Sequence, residues 1–372
     1  MRILVDARPV QDHFPGIGRY VFNLINALAP QVEGELLALV DVNATNTRFD
    51  LSQWQQYPNL ELITTDIPIF HWRSQTSLPG LIQRLQPDVV HFTYNVRPLR
   101  VNTPSLLTLY DLIPRHYPQY FPLLTRWKIE GIQRAALRAS TGFVSISHHT
   151  AQDFSRLYGI PKQRITITPL AADPRFRPHP QSELASFRRE RCLPEQYYLY
   201  LGSNKPHKNL PRLIQAWKQA KAAIKDAKLI IAGHWDERYP QARELADKLG
   251  IADDVLFWGS VASDDLPLLY AAAQVFIFPS LYEGFGLPVL EAMASGIPVA
   301  CSHAPGLTEV AGKAAVSFDP ASVNDITRAI TLLGTDSRAR AHYARLGKQR
   351  AGEFSWDNTA SLTIRAYRNL LG

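Results

Sequence analysis
Short apolar runs recur along the chain, separated by longer stretches in which apolar positions return with helical spacing. The runs predict strands at Ile3–Asp6, Leu36–Asp41, Leu60–Thr64, Val89–Phe92, Ser105–Leu109 and Gly142–Ile146. They resume at Tyr197–Leu201, Leu229–Ala232, Val255–Trp258, Val275–Phe278, Pro298–Cys301 and Ala314–Phe318. Between them the spacing predicts helices over Gly18–Leu28, Leu78–Leu85, Leu123–Ala139 and His149–Tyr158 in the first half, and over Pro288–Ser295 in the second. Strands without polar alternation belong inside parallel sheets covered on both faces, so the fold class is α/β, doubly wound.

The periodicity stops once, in the proline-rich stretch Pro169-Leu170-Ala171-Ala172-Asp173-Pro174-Arg175-Phe176-Arg177-Pro178, which has the composition of a linker. This predicts two Rossmann-like domains, residues 1–175 and 176–353. The segment 354–372 closes the chain as an amphipathic helix carrying Leu362, Ile364, Tyr367, Leu370 and Leu371. A length of 372 residues agrees with two cores.

In sheets of this kind ligands sit beyond the carboxyl ends of strands, so the loops there carry the chemistry. After Val275–Phe278 comes Pro279-Ser280-Leu281-Tyr282-Glu283-Gly284-Phe285-Gly286-Leu287-Pro288-Val289-Leu290-Glu291-Ala292-Met293. Two glycines bring bare backbone close to a ligand, and the N–H groups of Phe285, Gly286 and Leu287 open a helix, a ready anion site. Glu283 and Glu291, acceptors only, suit sugar hydroxyls.

After Tyr197–Leu201 the loop Gly202-Ser203-Asn204-Lys205-Pro206-His207-Lys208 places Lys208 near a helix start. The helix dipole disfavours a cation there, a reason to look for an anion beside it. After the first strand, Gly16-Ile17-Gly18-Arg19-Tyr20 lies just ahead of a helix. The loop is too long for a dinucleotide fingerprint and Val21 fills the third glycine position, which argues against NAD even with Asp41 ending the second strand. After Ser105–Leu109, Tyr110 can hydrogen-bond a hydroxyl, and Asp111 either serves a hydroxyl or caps the turn.

The Glu-Gly-Phe-Gly-Leu-Pro core and the spacing of Glu283 to Glu291 resemble the E-x7-E signature of the retaining, GT-B-fold family 4 glycosyltransferases. The resemblance covers nearly the whole chain. It implies a GT-B architecture, with a first, acceptor domain and a second, donor domain facing a central cleft and the last helix returning to the first domain. It implies transfer of a hexose from a nucleoside diphosphate sugar, UDP-glucose ahead of GDP-mannose, to a glycan or lipid-linked hydroxyl in envelope or extracellular polysaccharide synthesis. Lys208, Ser203, Asn204, the Phe285–Leu287 backbone, Gly16 and Gly18 would hold the diphosphate side of the donor, Val261 the base by its backbone, Glu291 the ribose, and Glu283 the transferred sugar. Lys208, Glu283 and Asp111 would carry catalysis. Two positions depart from the family: Tyr110 stands where many relatives have histidine, and Ser203 where several have arginine.

Composition narrows the alternatives. An apolar content of 46% with 20% charge describes a folded globular protein. The net charge of +7 admits anionic partners, but no nucleic-acid recognition motif accompanies it. Arg126, Lys128, Arg134 and Arg138, interleaved with Trp127, Ile129, Ile132 and Leu137, make either a solvated charged face, the commoner use of such a pattern, or a contact for an anionic membrane surface. No apolar run is long enough to cross a membrane, the chain starts on a strand, and two distant cysteines suggest a reducing cytosol. The expected location is therefore cytoplasmic, with peripheral attachment to the inner face of the membrane as an option that the basic helix leaves open. Asp-x-Asp, P-loop, H-E-x-x-H and G-x-S-x-G motifs are absent, so neither a metal nor a resident cofactor is expected. The rival readings are a GT-B epimerase or phosphorylase and a nucleotide-binding scaffold without catalysis.

Overall fold
The computed structural model describes every residue except Lys225. The chain divides into two compact units, Met1–Leu170 with Ser355–Gly372, and Ala171–Phe354.

The first unit is built on seven parallel strands: β1 (Arg2–Asp6), β2 (Glu35–Asp41), β3 (Leu60–Thr65), β4 (Val89–Phe92), β5 (Ser105–Leu109), β6 (Gly142–Ser145) and β7 (Ile165–Ile167). Their order is β3-β2-β1-β4-β5-β6-β7. Every residue of β4, β5 and β6 is buried, as both-face coverage by helices requires. Leu4, Leu37, Val90, Phe92, Leu107, Phe143 and Phe154 form the core of one layer.

The second unit repeats the plan with β8 (Tyr197–Leu201), β9 (Lys228–Ala232), β10 (Val255–Gly259), β11 (Val275–Phe278), β12 (Val299–Ser302) and β13 (Val316–Phe318), ordered β10-β9-β8-β11-β12-β13. In both sheets the order reverses beside the first strand: between β1 and β4, and between β8 and β11. A crevice opens at such a switch point, because the loops leaving the two strands turn to opposite faces.

Twelve strands lie where the apolar runs put them. The thirteenth, β7, was not expected. It is three half-buried residues at the sheet edge, close to Pro161 and Pro169, and too short to show a pattern. The division falls at Leu170, five residues before the expected boundary. The intervening residues go with the second unit because Arg175 reaches Asp264 at 3.4 Å and the Phe176 ring meets Tyr270 edge-on.

The last helix, Trp356–Leu371, belongs to the first unit. Ser355 caps it by accepting from the Asn358 N–H. It is fastened by polar contacts as well as packing. Tyr367 Oη lies 2.8 Å from Nδ1 of fully buried His91, whose Nε2 lies 2.8 Å from Thr108 Oγ1. Burial lowers the His91 pKa to about 3, so this link is made by a neutral imidazole.

Candidate active site
The site in the second unit is assembled at its switch point. The loop after β8 supplies Lys208 and the loop after β11 supplies Glu283, and the two side chains meet: Lys208 Nζ donates to Glu283 Oε1 at 2.6 Å. The side chains are 15% and 13% exposed. The anion that the position of Lys208 calls for is thus a carboxylate of the neighbouring loop. Below the pair lie two aromatic rings. Lys208 Nζ sits 5.2 Å from the Phe278 ring centre, and Phe278 stacks on Tyr200. Burial first, and then the Glu283 charge, hold the Tyr200 phenol well above its ordinary pKa, so it stays protonated and donates to the Ser203 carbonyl.

Three local contacts hold these loops in place. The Leu281 N–H donates to the His207 carbonyl at 2.8 Å. Asn209, in left-handed conformation at φ 62°, donates to the carbonyls of Pro279 and Pro320. A Cβ on Gly306 would lie 2.2 Å from the Glu283 carbonyl oxygen, so only glycine lets the helix Pro305–Ala311 start directly against the Glu283 backbone. His207 is buried, and desolvation with the charges of Lys208 and Lys205 lowers its pKa to about 2. It is neutral and does not act as an acid beside Lys208.

Gly286 enters the helix Leu287–Ala294 at φ 121°, a conformation reserved for glycine. The first N–H groups of that helix have no acceptor within it, and they follow Phe285 and Gly286 in the loop. The Phe285 side chain turns inward and packs edge-on against Phe354, leaving its backbone for the loop. Glu291 is 1% exposed and accepts a hydrogen bond from Tyr270 Oη at 2.9 Å. It lies inside the unit, not at its surface.

Other expected residues are placed differently. The Asn204 amide donates to the carbonyls of Asp236 and Tyr239 and accepts from the Asp236 N–H, which makes it a staple between the loops after β8 and β9. Lys205 is exposed and Val261 is buried. In the first unit the helix begins at Pro15, so Gly16 and Gly18 form its opening turn instead of a loop ahead of it. Proline at the first position starts that helix early. Tyr110 corrects the expectation that it serves a ligand hydroxyl: its Oη is buried and donates to the Thr93 carbonyl at 2.5 Å. Asp111 is half-buried, accepts from the Ile113 N–H at 3.2 Å, and its charge adds to the burial that raises the Tyr94 pKa. The structure therefore joins Lys208 to Glu283. It gathers Gly16, Gly18 and Asp111 at the carboxyl edge of the first sheet. The pattern hid Tyr200 and Tyr270, which read as packing within their apolar segments, and Gly306, whose constraint comes from the Glu283 backbone.

The paired lysine and glutamate lie at a switch point, beside a glycine-opened helix start, and the fold is GT-B. The sequence profile described as Glycosyl transferases group 1 matches residues 184–350, and that described as Glycosyltransferase Family 4 matches residues 15–176. The chain belongs to this family of glycosyltransferases. It is 29% identical, over the full length of both chains, to O-antigen chain mannosyltransferase B of Escherichia coli. It is 26% identical to the serotype-specific mannosyltransferase WbdA of Escherichia coli over 78% of this chain, and spans only 38% of that longer protein. Among solved structures, a sucrose-phosphate synthase from Thermosynechococcus elongatus superposes with a TM-score of 0.76 at 22% identity, covering 99% of this chain and 98% of its own.

Proposed function
We propose that the chain transfers a mannosyl residue from a nucleoside diphosphate mannose to a hydroxyl of a glycan or lipid-linked acceptor, in the synthesis of a cell-surface polysaccharide. The observation that carries this reading is the Lys208–Glu283 pair at the switch point of the second sheet. Mannose is chosen because the two Escherichia coli relatives are named mannosyltransferases. This puts GDP-mannose ahead of the UDP-sugar that the sequence resemblance favoured.

When the bond from the anomeric carbon to phosphate breaks, negative charge grows on the diphosphate. Lys208 has three N–H donors, of which one goes to Glu283 and the others suit phosphate oxygens. The backbone N–H groups of Phe285, Gly286 and Leu287 add fixed dipoles. Preorganised donors of this sort supply the largest single catalytic term in many enzymes. Glu283, held by Lys208, accepts from a hydroxyl of the sugar and orients it. The acceptor oxygen attacks from the face that the diphosphate leaves, and its proton passes to a departing phosphate oxygen. One C–O bond forms as another breaks, with retention at the anomeric carbon. Asp111 takes the acceptor hydroxyl, and Glu291 the ribose after exchanging its Tyr270 contact. The lysine and the N–H groups balance the diphosphate charge without a divalent metal, and no resident cofactor is needed.

The chain works at the cytoplasmic side of an anionic membrane. The start of the helix Leu123–Ala139 leaves Leu124 84% and Trp127 72% exposed beside Arg126 and Lys128, which supports peripheral contact. No helix among the described residues is long and apolar enough to cross a membrane.

The test is incubation with GDP-mannose or UDP-glucose and a short oligosaccharide acceptor in EDTA. Release of nucleoside diphosphate that depends on acceptor, with a product of unchanged anomeric configuration by NMR, is the expected result. Release that requires manganese, or an inverted product, contradicts the mechanism, and no release with any donor supports a scaffold instead.

A further inference from the structure
Four loops at the carboxyl edge of the first sheet bring aromatic rings together. Phe14, from the loop after β1, lies 6.2 Å from Phe70, of the loop after β3, and 5.2 Å from Tyr94, of the loop after β4. Phe70 and Tyr94 pack edge-on at 5.6 Å, and Tyr94 continues to Tyr110, after β5, at 6.5 Å. Phe70 faces outward at 62% exposure, and Trp72, two residues on in the same loop, is 68% exposed. Aromatic side chains of this size normally bury most of their surface, and clustered apolar exposure marks a binding surface.

The segment that displays them is fastened from beneath. Arg8, itself buried and ion-paired to Asp6 at 2.6 Å, donates to the Ile67 carbonyl and to Ser74 Oγ. Ser74 Oγ in turn reaches the carbonyls of Pro68 and Ile69. Phe70 and Trp72 therefore project from a loop whose two ends are pinned by one buried guanidinium and one hydroxyl. Such support preorganises a surface.

The rim is polar but nearly neutral. His13 packs edge-on against Phe14, His71 lies beside Trp72, and Asp66 and Arg73 form a bidentate pair. At its inner end Tyr94 feels the charge of Asp111.

We propose that this platform is a carbohydrate subsite that stacks pyranose rings of a glycan acceptor and leads its terminal hydroxyl towards Asp111. The electron-rich face of an aromatic ring attracts the weakly positive C–H groups on one face of a pyranose, while the ring's hydroxyls point sideways to hydrogen-bonding neighbours. An anionic membrane surface draws exposed aromatic residues that have cations beside them, as Trp127 has Arg126 and Lys128. In this rim Arg73 is taken up by Asp66, which favours a neutral ligand such as a sugar. The proposal rests on the glycosyl-transfer reading for the identity of the ligand as acceptor.

The full chain is titrated with α-mannotriose, maltotriose and chitotriose, followed by tryptophan fluorescence and by saturation-transfer NMR to the sugar C–H groups. At least one trisaccharide is expected to bind. Phe70→Ala and Trp72→Ala should each weaken it about 3- to 10-fold, Trp72→Phe should restore most of the affinity, and the open-chain polyol mannitol should not compete. Melting temperatures should stay unchanged, since both side chains are exposed. Binding of none of the three sugars overturns the proposal, and so does equal binding by the Phe70→Ala/Trp72→Ala double variant. Loss of binding to phosphatidylglycerol vesicles in that double variant, with sugar binding intact, also overturns it in favour of a membrane surface. Stabilisation of the same protein by GDP or UDP is measured alongside. If neither nucleotide stabilises it while sugar binding depends on Phe70 and Trp72, the transfer reading falls and the platform stands. The converse result removes the platform alone.

Discussion
Replacing Lys208 with alanine should damage both catalysis and stability, and the two losses can be separated. In the proposed transfer it removes a donor to the charge that grows on the diphosphate, which costs about 100- to 1000-fold in turnover. In stability it strands Glu283, whose carboxylate is 13% exposed and has its cation at 2.6 Å. Exposed pairs are worth about 0–1 kcal/mol, while breaking a fully buried pair costs about 3–5 kcal/mol. A pair with exposure near 15% falls between, at about 1–3 kcal/mol. For a unit the size of Ala171–Phe354, each kcal/mol lowers the melting temperature by about 2–4 °C. Adding Glu283→Gln to Lys208→Ala removes the stranded charge, so the double variant should recover most of the lost melting temperature and none of the lost turnover. The assay is nucleoside diphosphate release at saturating donor, with differential scanning fluorimetry on the same samples. Near-normal turnover in a folded Lys208→Ala protein would refute the placement of the donor phosphates. No recovery of stability in the double variant would refute the coupling of Lys208 to Glu283.

Other perturbations follow from the same geometry. In the proposed transfer Glu283 holds the sugar whose charge changes, so Glu283→Gln should lower turnover more than donor affinity, and Glu291→Gln should chiefly raise the donor Kd; equal effects on affinity with turnover intact would contradict this division. Gly306→Ala would place a Cβ 2.2 Å from the Glu283 carbonyl. It should lower both melting temperature and turnover, whereas Gly16→Ala, with open space around the new carbon, should spare the melting temperature. Acid should weaken the first unit through His91. The imidazole is neutral when folded, with its pKa lowered to about 3, while the unfolded chain takes up a proton below about 6.5. Stability is therefore complete above pH ~6.5 and falls by about 1.4 kcal/mol per pH unit below it, towards pH 3. His91→Gln should melt lower at pH 7 but lose less between pH 7 and 5 than the parent, and equal losses on acidification would count against a buried neutral His91.

The strands were legible because parallel strands buried on both faces are written as unbroken apolar runs, and Val275–Phe278 needs no partner to be recognised. β7 was not, since Ile165–Ile167 is short and half-buried. The loops after β8 and β11 stood out by residue type, but their meeting depends on strand order, which no local pattern carries. Lys208 and Glu283 are 75 residues apart in sequence. Tertiary partners also decided which side chains were occupied. Tyr110 turns inward to Thr93, and Asn204 to residues more than 30 positions away, so two polar groups that looked available are committed within the fold. Gly306 was illegible for a related reason: its need for glycine comes from the Glu283 backbone, not from its own turn.

The central claim is that a nucleoside diphosphate binds the second unit between the loops after β8 and β11. Hydrogen–deuterium exchange with and without GDP, in EDTA, tests it most directly, because exchange reports local opening segment by segment. GDP should slow exchange in 202–209 and 280–289 and leave the core strands unchanged. Protection confined to the first unit, or protection that appears only with added manganese, would contradict the claim.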